Sequence, residues 1–203
     1  MVAIVDYGVG NLFSIICSFN AIGVKAQVTS NPRILKEADK ILLPGVGAFK
    51  DSFELLKKTG LDKVILEQAH AGKDILGICL GMQLLFDMSL EDGQTQGLGL
   101  ISGEIRPISE VVNPNYKIPH IGWNKLKIYK KDCKLVKYLK DGDYGYFVHS
   151  YQACNCKDSL VATTDYDGEI TSIVHKDNVY GCQFHPEKSS NVGLSILKAF
   201  CED

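Results

Sequence analysis

The sequence predicts an α/β protein, a doubly wound and largely parallel sheet with an antiparallel extension in its second half. Three observations carry that expectation. Up to Asp87, short apolar runs alternate with helical patterns in the order β-α-β-α-β-α-β. Three of the strand ends run into glycine-bearing turns, at Tyr7–Gly10, Gly45–Gly47 and Gly77–Gly81. Beyond Asp87 helical spacing gives way to short strand-like runs separated by turns.

Taken in order, Val2–Val5 reads as a buried strand, and the turn Asp6–Gly10 leads into a helix from about Asn11 to Ile22. Within it Leu12, Ile15, Ile16 and Phe19 recur at helical spacing, and Gly23 sits where helices commonly end on a glycine. Lys25–Thr29 is a second strand, Pro32 opens a short helix, and Lys40–Leu43 is a third strand running straight into P-G-V-G. Phe49–Lys57 and Leu61–His70 are helical, Ile75–Ile78 is a fourth strand, and Leu80–Phe86 reads as a helix. Ser89–Gly97 reads as a polar loop and Leu98–Ile105 as a strand, while Val111–Pro119, with two prolines, is irregular. Strands follow at Trp123–Tyr129, Tyr144–Tyr151, Leu160–Thr164, Ile170–His175 and Val179–Phe184, as an extension packed against the parallel sheet. Val192–Cys201 is a closing helix with Leu194, Leu197 and Cys201 on one face, capped by Ser189, Ser190 or Asn191.

At 203 residues the chain suits one large α/β domain, and no repeat, linker or low-complexity segment divides 1–203. The net charge of −2, from 22 basic and 24 acidic residues, gives no field to draw nucleic acid or a membrane surface. Met1 leads directly into a strand, without a basic leader or a long apolar run, so neither a secretion signal nor a membrane span is expected. Seven cysteines, an odd number scattered along the chain, fit reduced thiols in a cytoplasmic protein. Cys154 and Cys156 form the one close pair, with no second pair or histidine at ligand spacing, so no metal site is expected there.

The chemistry concentrates at D-I-L-G-I-C-L-G-M-Q-L-L-F-D, residues 74–87. Cys79 falls at the strand-to-helix junction with Gly77 and Gly81 two residues to either side, the thiol form of a nucleophile elbow. Such a turn lifts one side chain above the sheet, and a Cβ at either glycine would strike neighbouring backbone. A helix starting there would turn its positive end toward the sulfur and favour the thiolate. A plain buried cysteine on a βα unit is the alternative. The G-V-G turns do not complete G-x-G-x-x-G, so a dinucleotide fold is not indicated.

An activated thiol needs a base, and the base needs an orienting group. His70 lies near the end of a surface helix and reads as solvated; His120, His149, His175 and His185 lie in the second half. His185 stands out because it ends a strand and is followed by Pro186 and Glu187. A residue before proline is held extended, so H-P-E presents imidazole and carboxylate with limited freedom. A strand-ending turn with an exposed histidine is the competing reading.

Together the motifs are more specific than singly. G-I-C-L-G-M-Q at 77–83 and Q-F-H-P-E-K-S at 183–189 resemble the class I, or triad, glutamine amidotransferases. P-G-V-G at 44–47 falls where that family has the loop completing its oxyanion site, and the resemblance spans nearly the whole chain with the motifs in family order. It implies a flavodoxin-like sheet and a glutaminase in which Cys79 is the nucleophile, His185 the general base and acid, and Glu187 the orienting carboxylate. Leu80 and the backbone around Val46 and Gly47 would hold the oxyanion. Gln83 and Glu91 would hold glutamine, bordered by His149, Ser150 and Tyr151, and no metal or organic cofactor is implied.

Five segments narrow the resemblance: D-Y-G-V-G-N at 6–11, P-G-V-G-A-F at 44–49, I-P-H-I-G-W-N at 118–124, Y-F-V-H-S-Y at 146–151 and H-P-E-K-S-S at 185–190. They are similar to the glutaminase subunits of imidazole glycerol phosphate synthases, which serve histidine biosynthesis and pass ammonia to a separate (β/α)8 cyclase subunit. The length leaves no room for a synthase domain. The resemblance implies a heterodimer in which Asn11, Trp123 and Lys188 face the partner, with Lys188 paired to an acidic residue at the barrel mouth. Two other enzyme readings stay open at this stage: a paralogue supplying ammonia for amination of surface-polysaccharide sugars, and a related hydrolase with a cysteine elbow. A binding module with a decayed triad is disfavoured, because all three chemical residues are intact.

Overall fold

Strands buried on both faces must sit inside a layered sheet, and the apolar runs read from the sequence do so. The computed structural model describes residues 1–202. Its first half alternates β1 (Val2–Val5), α1 (Leu12–Ala21), β2 (Ala26–Thr29), α2 (Pro32–Glu37), β3 (Lys40–Leu43), α3 (Phe49–Thr59), α4 (Leu61–His70), β4 (Ile75–Ile78) and α5 (Leu80–Leu84). The second half adds β5 (Phe86–Ser89), β6 (Thr95–Gln96), β7 (Ile101–Pro107), β8 (His120–Ile128), β9 (Tyr144–His149), β10 (Tyr151–Cys154), β11 (Leu160–Asp165), β12 (Glu169–Lys176), β13 (Val179–Cys182) and α6 (Ser190–Cys201).

Among these residues nine strands form one sheet in the order β2-β1-β3-β4-β13-β12-β11-β8-β9, and four form a second in the order β10-β7-β5-β6. The pairings from β2 to β13 are parallel, and those from β13 to β9 are antiparallel. β13 is therefore the seam. It pairs with β4 in the register Gly77↔Gly181 and Ile78↔Cys182, and with β12 on its other edge. Helices α1 and α6 cover one face, through Ile15, Phe19, Ile196, Leu197 and Phe200. The opposite face packs α2–α5 together with the small sheet, through Leu35, Phe49, Leu56, Ile65, Phe86, Ile101 and Ile105.

The structure corrects several expectations. The antiparallel extension continues the large sheet edge to edge instead of packing against it, and only the small sheet packs on its face. The helix expected over Leu80–Phe86 ends at Leu84, and Phe86–Ser89 is a strand. The reason lies in the following segment. Leu98 N–H donates to Leu84 O (2.9 Å), Leu100 N–H to Leu85 O (2.9 Å) and Gly99 N–H to Phe86 O (3.0 Å), so carbonyls a longer helix would use are already taken. Gly97 permits this approach, because a Cβ there would lie 2.2 Å from Phe86 O. The expected polar loop contains β6, which pairs with β5, and the strand expected from Leu98 begins at Ile101. The run Tyr144–Tyr151 divides at Ser150 into strands of different sheets. On α6 the buried face is Gly193, Ile196, Leu197 and Phe200, with Leu194 and Cys201 at its margin.

Ser189 occupies the position before α6, yet its side chain does not cap the helix. Its hydroxyl donates to His185 O (2.7 Å) and accepts from Tyr146 N–H (2.9 Å), tying the Pro186–Lys188 turn to β9. α6 lies directly on that turn. A Cβ at Gly193 would sit 1.8 Å from Pro186 O. Gly193→Ala should therefore displace the turn and cost about 2 kcal/mol or more of stability, read as a lowered urea midpoint at unchanged m-value.

Candidate active site

Cys79 begins where β4 stops. Its φ of 54° lies in the left-handed region, which a non-glycine residue adopts only when the surroundings enforce it. Two close approaches do so. A Cβ at Gly77 would lie 2.6 Å from Met82 Cα, and one at Gly81 would lie 1.9 Å from Leu43 O. The glycines are thus required by packing of β4, α5 and the end of β3. α5 is only five residues long, so the dipole expected from a full helix is confined to about one turn.

The parallel pairing of β4 with β13 brings the remote half of the chemistry to this point. Cys79 N–H donates to Cys182 O (2.8 Å), so the chain leaving β13 runs beside the elbow. His185 N–H donates to Tyr146 O (2.9 Å), and its ring Nδ1 pairs with Glu187 Oε1 at 2.8 Å. The Glu187 side chain is 1% exposed, and its Oε2 makes no hydrogen bond in the structure. Burial alone would lower the His185 pKa. Hydrogen bonds and opposite charge from Cys79 and Glu187 outweigh it and push the ring up to about 10. These two partners favour the protonated ring.

A cleft of about 330 Å³ opens over Cys79 and His185. Val46, Gly47, Leu80, Gln83, Glu91, His149, Ser150 and Tyr151 are among its lining, with Pro119 and Val148, so every residue expected at the substrate is brought to it. Tyr7 holds the P-G-V-G loop through a hydrogen bond from its hydroxyl to Pro44 O (2.8 Å). Burial, and then the neighbouring Cys79 charge, raises that phenol well above its ordinary range. Glu91 accepts from Phe49 N–H (2.8 Å) at the start of α3, and burial raises its carboxyl. Gln83 donates to Tyr151 O (3.2 Å) and to Gln183 Oε1 (2.9 Å).

A model described as glutamine amidotransferase class-I matches residues 3–203. The chain belongs to that family. Imidazole glycerol phosphate synthase subunit HisH of Caldanaerobacter subterraneus subsp. tengcongensis is 48% identical over all of this chain and 98% of its own length. The same-named subunit of Lactococcus lactis is 47% identical over all of this chain and 98% of its own length. Among solved structures, PurLQS from Thermotoga maritima superposes with a TM-score of 0.77 at 18% identity, over 98% of this chain and 96% of that one. A structure described as a glutamine amidotransferase gives 0.76 at 16% identity, over 98% and 99%. At such identities these two speak for the fold alone, an amidotransferase-type α/β sheet.

Beside the amidotransferase cleft runs a buried chain that sequence reasoning missed. His149 Nδ1 meets Tyr151 O (2.8 Å), His149 Nε2 meets His120 Nδ1 (3.0 Å), and His120 Nε2 meets Asn124 Oδ1 (2.9 Å). Asn124 Nδ2 donates to Asp165 O (2.9 Å), which fixes its oxygen toward His120. Both ends of the chain are acceptors, so two neutral imidazoles supply protons for only two of its three junctions. Burial nevertheless holds both rings down, His149 to about 4. The signal was present in I-P-H-I-G-W-N, but β8 and β9 had to pair His120 with His149 before it had meaning.

Of the three residues expected at a partner, Trp123 and Lys188 are exposed and Asn11 is half-buried. Trp123 is 58% exposed on β8, and Asn11 immediately precedes α1 without capping it. Lys188 is exposed, with Nζ 5.7 Å from the Tyr146 ring centroid, and Tyr146 packs edge-on against Trp123 at 4.7 Å. Lys188 and Trp123 thus share one patch through Tyr146, a residue that sequence reasoning left without a role.

Removing the thiol in Cys79→Ala should lower the titration midpoint of His185 from about 10, since the hydrogen bond and charge that raise it are lost while burial remains. Histidine NMR reads this directly; an unmoved midpoint would contradict the pairing. His149 has the opposite sign. Its folded value of about 4 lies below 6.5, so the unfolded chain binds the proton first. Stability should rise with pH between those values and fall on acidification below about 6.5. In His149→Gln that acid-side slope in denaturation free energy should flatten.

Proposed function

We propose that this chain is the glutamine-hydrolysing subunit of an imidazole glycerol phosphate synthase, acting through a Cys79–His185–Glu187 triad. The observation that carries the reading is the 2.8 Å contact of His185 Nδ1 with Glu187 Oε1, with the same ring held against an elbow cysteine at the floor of a cleft. In this reading the Cys79 thiolate attacks the side-chain amide carbon of glutamine, and a tetrahedral oxyanion forms. Backbone N–H groups at Leu80 and around Val46–Gly47, which line the cleft, would hold that charge, donors of a kind worth about 3–4 kcal/mol each. The imidazolium gives its proton to the leaving nitrogen, ammonia departs, and a γ-glutamyl thioester remains. Neutral His185 then takes a proton from water as the hydroxyl adds, and the collapsing intermediate releases glutamate and restores the ion pair. Glu187 keeps Nδ1–H in place throughout and never takes the proton. These are acyl and proton transfers, balanced without an electron carrier.

Ammonia that meets bulk water becomes ammonium and ceases to be a nucleophile, so the product must pass to a joined synthase. We place a (β/α)8 cyclase subunit over the Trp123–Tyr146–Lys188 patch and Asn11, as a heterodimer in the cytoplasm, with residues 1–203 acting as one domain. The names of the relatives support this assignment over the sugar-amination alternative. The seven unpaired cysteines suit a reducing compartment.

Glutaminase rates should be low for the isolated chain and should rise with the cyclase subunit and again with acceptor ligand. Cys79→Ala should lose about 10⁴-fold or more of glutamine-dependent synthesis while the complex still uses added ammonia. Lys188→Ala should weaken assembly or uncouple the two rates at unchanged fold. Residual glutaminase in Cys79→Ala would remove the thiol from the mechanism, and a full rate in the isolated wild-type chain would remove the dependence on docking.

A further inference from the structure

We infer that Gln183 is a further catalytic residue, whose side-chain amide donates to the Cys79 sulfur and stabilises negative charge on it; this rests on the reading of Cys79 as nucleophile. The contact is Nε2 to Sγ at 3.7 Å. Amide orientation decides its meaning, because an oxygen turned toward a thiolate would repel it. Three links fix the direction. Tyr151 O is a backbone carbonyl and can only accept, so the Gln83 group facing it at 3.2 Å is the NH₂. That same NH₂ faces Gln183 at 2.9 Å, so the Gln183 atom there is the oxygen. The NH₂ of Gln183 is left pointing at sulfur. Reversing it would set two donors against each other on one side and an acceptor against the thiolate on the other.

The placement follows from the fold. Ile78 and Cys182 are register partners on β4 and β13, so the residues that follow them leave the sheet side by side. Gln183 N–H donates to Ser172 O (2.9 Å), which anchors its backbone to β12. Its side chain is fully buried, where an amide without partners is costly, and both of its ends are used. The sulfur thus lies between a cation, the His185 ring, and a neutral donor that no proton transfer can remove. The amide can hold charge on sulfur before attack and again as the thiolate leaves the thioester, when His185 is occupied with protons.

Gln183→Met removes the donor and keeps the length. In the full chain we expect the midpoint of the pH–rate profile for alkylation of Cys79 by iodoacetamide, followed by peptide mapping, to move up by about one pH unit. In the complex with the cyclase, kcat for glutamine should fall about tenfold with KM little changed, a split that a loosened fold would not give. Gln183→Glu keeps the acceptor for Gln83 but turns a carboxylate oxygen toward sulfur, and should be slower still. It decides the matter if the Met variant does not fold. An unmoved alkylation midpoint and a kcat within about twofold of wild type in a folded variant would overturn the inference. That result, beside an inactive Cys79→Ala, leaves the nucleophile standing. An active Cys79→Ala would instead remove the nucleophile, and this inference with it.

Discussion

The pairing of β4 with β13 is the contact on which the site depends. Two strands far apart in sequence lie parallel, in the register Gly77↔Gly181 and Ile78↔Cys182, closed at the end by Cys79 N–H to Cys182 O at 2.8 Å. That register puts a sulfur, an amide and an imidazole within reach of one another. A slip of one residue would turn each side chain to the opposite face of the sheet. Glycine makes the register tolerable, since a Cβ at Gly181 would lie 2.4 Å from Met82 Cγ and one at Gly77 2.6 Å from Met82 Cα. The same methionine, in the middle of α5, therefore packs against both strands below the elbow.

Electrostatics then divide the histidines. Against its burial, His185 is raised to about 10 by hydrogen bonds and charge from Cys79 and Glu187, while His149, buried beside another imidazole, is lowered to about 4. The two rings sit on neighbouring elements around one cleft and have opposite preferences for a proton at neutral pH. A buried ion pair is weak evidence for stability. The strained φ at Cys79 and the unpartnered Glu187 Oε2 point the same way, toward a site held in place by its surroundings.

What was legible in the sequence was local. The strands Val2–Val5, Lys40–Leu43 and Ile75–Ile78 were readable because burial on both faces leaves uninterrupted apolar runs. The elbow and H-P-E were readable because their geometry is written within a few residues. The helix after Cys79 was read too long because Leu84–Phe86 are apolar in either state, and their carbonyls are claimed by residues a dozen or so positions later. Ser189 looked like a cap and is a tie to β9, because the competing donor, Tyr146 N–H, comes from another strand. Gln183, His120, Tyr7 and Tyr146 each stand inside a motif quoted above, but no neighbour in sequence says what they do. Each acquires its role from a partner that only the tertiary fold supplies.

The late arrival of β13 has a consequence for how the molecule comes into being. As the chain leaves the ribosome, β2, β1, β3 and β4 can pair as they emerge, but β4 keeps one edge bare until β13, the last strand of the large sheet in chain order, has been made. That edge is apolar, four residues long and continuous with the reactive cysteine. An unpaired edge of this kind invites intermolecular strand addition, and its pairing is the slow, long-range step in folding. The arrangement also sets the order of events. Cys79 cannot meet His185 on a nascent chain that stops short of β13, so the chemistry waits for the last strand of the sheet.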